Sequence, residues 1–347
     1  MQLRKIQTAS LAFAAAIEST IKRSLRPFRQ VVAATVLSVM LVTVCGHGAW
    51  CQTTGTIKIV NPYPPGGTAD IVARMLGEQI GRTQGVTVLI ENRPGAGTVI
   101  GTEAASRAAP DGNTLLINTP AFVLNPHLRK LNYDPLTSFE PICYLVSSPS
   151  VVVVNSASPY RTLAGLLNEA RAKPGVLTLA SVGPATGVHI AFEMLKRATG
   201  VNIIFVPYPG NAPTVNAVLG EHVTSAVANY ADVVEHLQAG KLHALATTSR
   251  TRVAALPEVP TVAESGNKDF EVDTWFGLFA PARTSKETVT QLAGWFVAAM
   301  RVSEVRTKLA ALSLDPVGMC GADFGAFIRK EYDGFGRGIR EANIKVE

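Results

Sequence analysis

From residue 57 onward the chain alternates short β-branched runs with amphipathic stretches, and that alternation admits few folds. Strands are expected at 57–61, 86–90, 114–118, 151–155, 177–181, 203–206, 223–229 and 244–248. Between the first two, Val72, Met75, Leu76 and Ile80 recur at three- and four-residue spacing, which puts them on one helix face. Further helical patterns cover 162–173, 187–199, 213–219 and 232–239. Strands that alternate with helices of this length imply an α/β architecture, with mostly parallel sheets and helices on both faces. Near the C-terminus, 286–300, 303–312 and 322–342 continue as helix. The last keeps Phe324, Phe327, Ile328, Phe335 and Ile339 in register, although Gly334, Gly336 and Gly338 weaken it by up to about 1 kcal/mol each.

A length of 347 residues suggests two domains. No internal repeat or low-complexity linker separates them, so the chain is expected to cross between domains more than once, with 151–155 and 270–279 as the extended candidates. The 47% apolar content is ample for packed cores and excludes disorder. Four irregularly spaced cysteines, with no C-x-x-C pair and no Cys/His cluster, define neither a bridge framework nor a zinc site.

The formal net charge of +6 would suggest nucleic acid or an anionic membrane as partner if it were spread along the chain. It is not. Arg4, Lys5, Lys22, Arg23, Arg26 and Arg29, offset only by Glu18, precede an apolar run of 14 residues (31–44) and then small residues around 46–49. That order is a secretory signal; the alternative, an uncleaved anchor, would need a run of about 20 residues. Removing 1–51 leaves 26 basic against 25 acidic residues, a nearly neutral exported protein with no nucleic-acid partner. Lipidation is not expected, because Cys45 follows Val44 and Cys51 follows Trp50. Of the four cysteines, Cys143 and Cys320 remain, read here as two unpaired buried thiols.

Three expected strands run into glycine- and proline-marked helix starts: Asn61 to Asp70, Ser181 to His189, and Val206 to Pro213. Thr68 and Asn211 are natural N-caps, and Gly66 and Gly67 let a ligand or another backbone approach closely. Free N–H groups at such starts, with a helix dipole behind them, attract a carboxylate or phosphate, and open α/β sheets bind ligands at the C-terminal ends of their strands. Asp70 has two readings: favourable interaction with its own helix dipole, or acceptance of a hydrogen bond from a ligand hydroxyl, ammonium or water.

Catalytic readings fare less well. Gly95 to Gly101 has one residue too many for a dinucleotide fingerprint, and no phosphate-binding P-loop is present. Ser181 has Leu179 where a nucleophile elbow requires glycine. His189 and Glu193 share a helix face but lack a third metal ligand. The chain is therefore read as a non-enzyme without metal or cofactor.

The run Pro62-Tyr63-Pro64-Pro65-Gly66-Gly67-Thr68-Ala69-Asp70, then Glu91 to Gly97, Pro110 to Leu116, Val206-Pro207-Tyr208 and Leu256 to Glu264, resembles the successive signatures of the Bug-type substrate-binding proteins of tripartite tricarboxylate transporters. The resemblance implies a periplasmic-binding-protein (Venus flytrap) fold with a cleft between two α/β domains, 52–153 plus 275–347 and 154–274. It also implies a monomeric receptor that delivers a small carboxylate to membrane permease subunits. The alternative is a carboxylate-sensing receptor acting on a two-component sensor kinase.

By the same resemblance, Pro65, Gly66, Gly67 and Thr68 would grip one carboxylate from the first domain, and Ser181, Gly183, Thr186 and His189 from the second. Tyr63, Thr119, Pro207, Tyr208, Asn229 and Asp232 would meet the rest of the ligand, with Asp70 beside the first loop. Thr98 stands where the family usually has a second glycine, and the second loop carries its own sequence, Pro184-Ala185-Thr186.

Overall fold

The computed structural model describes residues 55–183, 186, 189, 192–193, 195–196, 199–267 and 270–341. The expected leader, 1–51, lies outside these residues, as does part of the helix expected at 187–199. The first half of the sheet is built from β1 (Thr56–Asn61), β2 (Thr87–Asn92), β3 (Thr114–Asn118), β9 (Asp273–Pro281), β4 (Phe139–Asn155) and β10 (Asp315–Cys320). β5 (Thr178–Val182), β6 (Ile204–Tyr208), β7 (Ser225–Asn229) and β8 (Leu242–Thr247) form the second half, again with β4.

β1 pairs in parallel with β2 and β3, and β5 with β6 and β7. The antiparallel pairs all involve β4 or β9, so in each half most strands still run the same way. β4 is 17 residues long, where only 151–155 was expected. Its N-terminal part lies between β9 and β10; from Ser150 on it lies between β7 and β8. Pro141 and Pro149 hide that length in the sequence, and register shifts between Pro141 and Cys143 and between Tyr144 and Val146 absorb the irregularity. The chain returns alongside at Val272, whose N–H bonds to Thr248 O, just before β9 begins.

Helices cover both faces. α1 (Thr68–Gln84) buries Val72, Ala73, Leu76 and Ile80 against Ile57, Ile59 and Leu115, each large side chain contributing roughly 1.5–3 kcal/mol. It ends at Gly85, whose left-handed φ of 69° lets its N–H reach Gly81 O. α7 (Lys286–Arg301) and α8 (Ser303–Ala311) share that core. On the opposite face an aromatic cluster joins Phe122, Phe139, Trp275, Phe279 and Phe324. These come from α3 (Ala121–Leu128), β4, β9 and α9 (Gly321–Glu341). In the second half, α4 (Leu163–Ala172) packs on one side, and α5 (Asn211–Leu219) and α6 (Tyr230–Gln238) on the other.

Three elements were not anticipated: α2 (Val99–Ser106), α3 with Pro126 inside it, and β10 with Pro316 and Gly318. Missing β10 also concealed a bond. Cys143 and Cys320 are not free thiols: antiparallel pairing sets them opposite one another, Cα atoms 4.0 Å apart, in a disulfide. Sequence separation of 177 residues carries no information about that proximity.

Candidate functional site

Two of the three helix starts expected to matter, those of α1 and α5, meet at one cleft, while the start expected at Ser181 to His189 lies partly outside the described residues. A cleft of about 590 Å³ is lined by Gly67, Thr68 and Ala69 at the start of α1 and by Gly210, Asn211 and Ala212 at the start of α5. Thr119 and Pro120 at the start of α3, and Asn229 before α6, complete this end. None of these four helices has a side-chain cap bond. Outside the cleft lining, α4 and α7 are capped by Thr162 and Ser285, whereas α2 and α8 also lack a side-chain cap bond. The dipoles of the cleft helices thus point towards a shared space, although at α3 the N–H groups of Phe122 and Val123 already donate to Thr119 O and Pro120 O.

Asn229 shows how the cap was diverted. Asparagine is a favoured N-cap, yet its Nδ2 donates to Thr68 Oγ1 at 3.3 Å and its Oδ1 accepts from Ser150 Oγ at 3.3 Å. Thr68 Oγ1 in turn donates to Asp232 Oδ2 at 2.7 Å. These bonds tie the start of α1 to residues of the other sheet half. Asp232 places a carboxyl next to the helix start, and packing around it strips its water, so its pKa is pushed up to about 7. Donors from Thr68, Asn211 and Asn229 pull in the opposite direction and are outweighed.

Asp70 sits in the first turn of α1, as the helix-dipole reading expects, and away from the cleft lining. It is buried and accepts from Gly66 N (3.1 Å), Arg74 Nε (2.8 Å) and Asn92 Nδ2 (2.9 Å). Burial raises its pKa, but these donors and the Arg74 charge hold it below the usual carboxylate range. Asn92 Nδ2 also donates to Tyr63 O. The loop between β1 and α1 is therefore pinned from below, and Asp70 positions Gly66 and Gly67.

The remaining expected residues divide. Tyr63, Gly67, Thr68, Thr119, Thr186 and Asn229 line the main cleft. Tyr63 and Thr119 hydroxyls bond to one another, and burial pushes the Tyr63 phenol up. Gly183, Pro207 and Tyr208 line an adjoining cavity of about 240 Å³ that shares Tyr63 and Thr186 with the cleft. Pro65, Gly66, Ser181, His189 and Asp232 lie outside both linings. The buried Ser181 hydroxyl has no partner among the described residues. His189 packs its ring 4.3 Å from that of Phe205, and burial lowers its pKa. Among the described residues no group of three metal-ligating side chains exists.

Another part of the cleft lining, from β4, the β9 region and α9, was not anticipated. Tyr144, Trp275, Phe327 and Phe335 line it with Glu271, Asp273, Lys330 and Glu331. Glu331 accepts from Trp275 Nε1 at 3.2 Å, and its pKa is raised by burial. Asp273 is open to the cleft, yet the wall around it desolvates its carboxyl and, with Glu271 and Asp315 nearby, pushes it up to about 6. The aromatic periodicity of 322–342 reads as a core helix, and only the turn of α9 over β9 shows that Phe327 and Glu331 share a wall.

A family model described as the tripartite tricarboxylate transporter family receptor matches residues 72–344. The chain belongs to this family. Protein BugT of Bordetella pertussis (strain Tohama I) is 32% identical to the receptor over 294 residues, 84% of this chain and 90% of BugT. The structure of the periplasmic binding protein BugD shares 32% identity at a TM-score of 0.80, covering 84% of this chain and 99% of BugD. R. palustris Rpa4515, solved with adipate, shares 29% identity at a TM-score of 0.81, covering 85% and 99%. The receptor accordingly has a periplasmic-binding-protein fold and belongs to a solute-binding family, not an enzyme family. Among the described residues no helix is long and apolar enough to cross a membrane.

Proposed function

We propose that the receptor binds a small carboxylate in this cleft and delivers it to the membrane subunits of a tripartite transporter. The observation that carries the reading is the convergence of four helix starts, without side-chain caps, on one cavity. A carboxylate held by such N–H groups and the neighbouring hydroxyls gains about 1.5–3 kcal/mol per charge-assisted bond, enough for micromolar affinity after ordering costs. No lysine or arginine is needed at that end. Adipate in Rpa4515 supports a carboxylate ligand.

The donors come from both halves of the sheet, so ligand contact with both would drive closure. A division into 52–153 plus 275–347 and 154–274 is supported by the passage of β4 between sheet halves near Pro149 and the return at Val272. Export through a cleavable 1–51 leader and function as a periplasmic monomer complete the reading. The Cys143–Cys320 disulfide supports an oxidising compartment. Titration calorimetry against mono-, di- and tricarboxylates tests the central claim: micromolar binding of at least one acid is expected, and silence across the panel overturns it.

A further inference from the structure

The part of the cleft lining supplied by the β9 region and α9 has the wrong charge for a second carboxylate. Glu271, Asp273 and Glu331 all line it, against a single cation, Lys330, among the described lining residues. Two of the acids are partly answered: Glu271 by Arg250 at 3.3 Å, and Glu331 by the Trp275 N–H and the charge of Lys330. Asp273 has no hydrogen-bond or ion-pair partner among the described residues, and the charges that act on it, Glu271 and Asp315, share its sign. A carboxylate is acceptor only, so a second one placed here would face acceptors and repulsion. A protonated amine would supply the donors this wall lacks. Tyr144 and Trp275, which line the same space, are packed against Phe324 and Phe327 and supply no cationic partner for a carboxylate.

We infer that the ligand is a small acid carrying an ammonium group at the end remote from its carboxylate, with Asp273 and Glu331 as the residues that select it. This rests on the carboxylate-receptor reading above, because the helix starts must hold the other end. The cleft then matches a zwitterion: helix starts along one part of its lining, carboxylates along another.

Calorimetry on the purified protein with matched linear acids of four to eight carbons tests the assignment, each length supplied as the α,ω-dicarboxylate, the ω-amino acid and the plain monocarboxylate. At the best length the ω-amino acid is expected to bind at least tenfold tighter than the dicarboxylate. Asp273→Asn combined with Glu331→Gln is expected to narrow or reverse that preference, weakening the amino acid at least tenfold and strengthening the dicarboxylate. The amide oxygen introduced by Glu331→Gln would still accept from the Trp275 N–H. If the double variant melts early, Asp273→Asn alone, at an open and unpartnered position, is expected to move the ratio in the same direction.

A dicarboxylate that binds as tightly as its ω-amino counterpart, or a preference unmoved by Asp273→Asn, overturns the ammonium assignment and leaves the carboxylate receptor intact. Absence of binding by all three series overturns both.

Discussion

Two parts of the cleft lining carry charge by different means. At one, the starts of α1, α3, α5 and α6 present backbone N–H groups and hydroxyls with no formal positive charge. At the other, Asp273, Glu271 and Glu331 stand among aromatic rings. Backbone dipoles do not titrate and tolerate side-chain change nearby, so the first end suits the group common to a ligand class. Side chains can be exchanged one at a time without rebuilding a helix, so the second end suits the group that varies. On the proposed reading, capture and selectivity are thereby assigned to different parts of one cavity.

The largest test of that separation removes the anchor of one end. Cys320→Ser frees β10 from β4, and with it the base of α9, which carries Phe327 and Glu331. Loss of a bridge spanning 177 residues is expected to cost roughly 2–4 kcal/mol in denaturant unfolding. The selectivity ratio between ω-amino acid and dicarboxylate should fall with it, while binding of a plain monocarboxylate persists. An unchanged unfolding midpoint would show that the strand pairing alone holds the wall.

Next in size is Gly67→Val at the other end. Gly67 has an ordinary φ of −88°, and an added Cβ would come no closer than 3.9 Å to its nearest neighbour, Asp232 Oδ1. The fold should therefore survive, with a melting temperature within a few degrees, while the side chain blocks the helix start. Affinity for every carboxylate is expected to drop at least tenfold, about 1.4 kcal/mol, without a change in selectivity. Retained affinity would remove α1 from the grip.

A smaller effect separates titrating from non-titrating parts of the helix-start end. Asp232 holds its proton up to about pH 7 when folded, against an ordinary value of 3.8. Its contribution to stability is therefore complete below about pH 4, declines as pH rises, and is lost above about pH 7. Asp232→Asn removes the buried charge at high pH and keeps an acceptor for Thr68. It should melt roughly 2–4 °C above the parent at pH 8, with the advantage closing at pH 5. Parallel melting curves at the two pH values would place the proton elsewhere.

The smallest effect is a control on capping itself. Thr162→Ala removes the cap bond to Gly165 N of α4, remote from the cleft lining, and should cost about 0.5–1 kcal/mol of stability with no change in affinity.

Much of this was legible in the chain. The parallel strands carry β-branched runs bounded by glycine and proline, and the helix starts follow them at fixed places, so Gly67, Thr68 and Asn229 could be named before any coordinates. Asp70 could not be resolved, because its role depends on Arg74 and on Asn92 from a neighbouring strand. The acid and aromatic wall was hidden for a related reason. Tyr144, Asp273, Trp275 and Glu331 lie on three elements far apart in the chain, and each taken alone reads as strand or core helix.

Local periodicity and turn chemistry thus determined the α/β alternation, the glycine- and proline-marked helix starts and the basic-then-apolar pattern of residues 1–51, since these depend on neighbours within a few residues. Only the tertiary structure decided that four helix starts share one cavity, that β4 serves both halves of the sheet, and that Cys143 meets Cys320. Those outcomes depend on strand pairing between distant segments. Pairing is set by which faces can be buried together, and no local stretch of sequence contains that information.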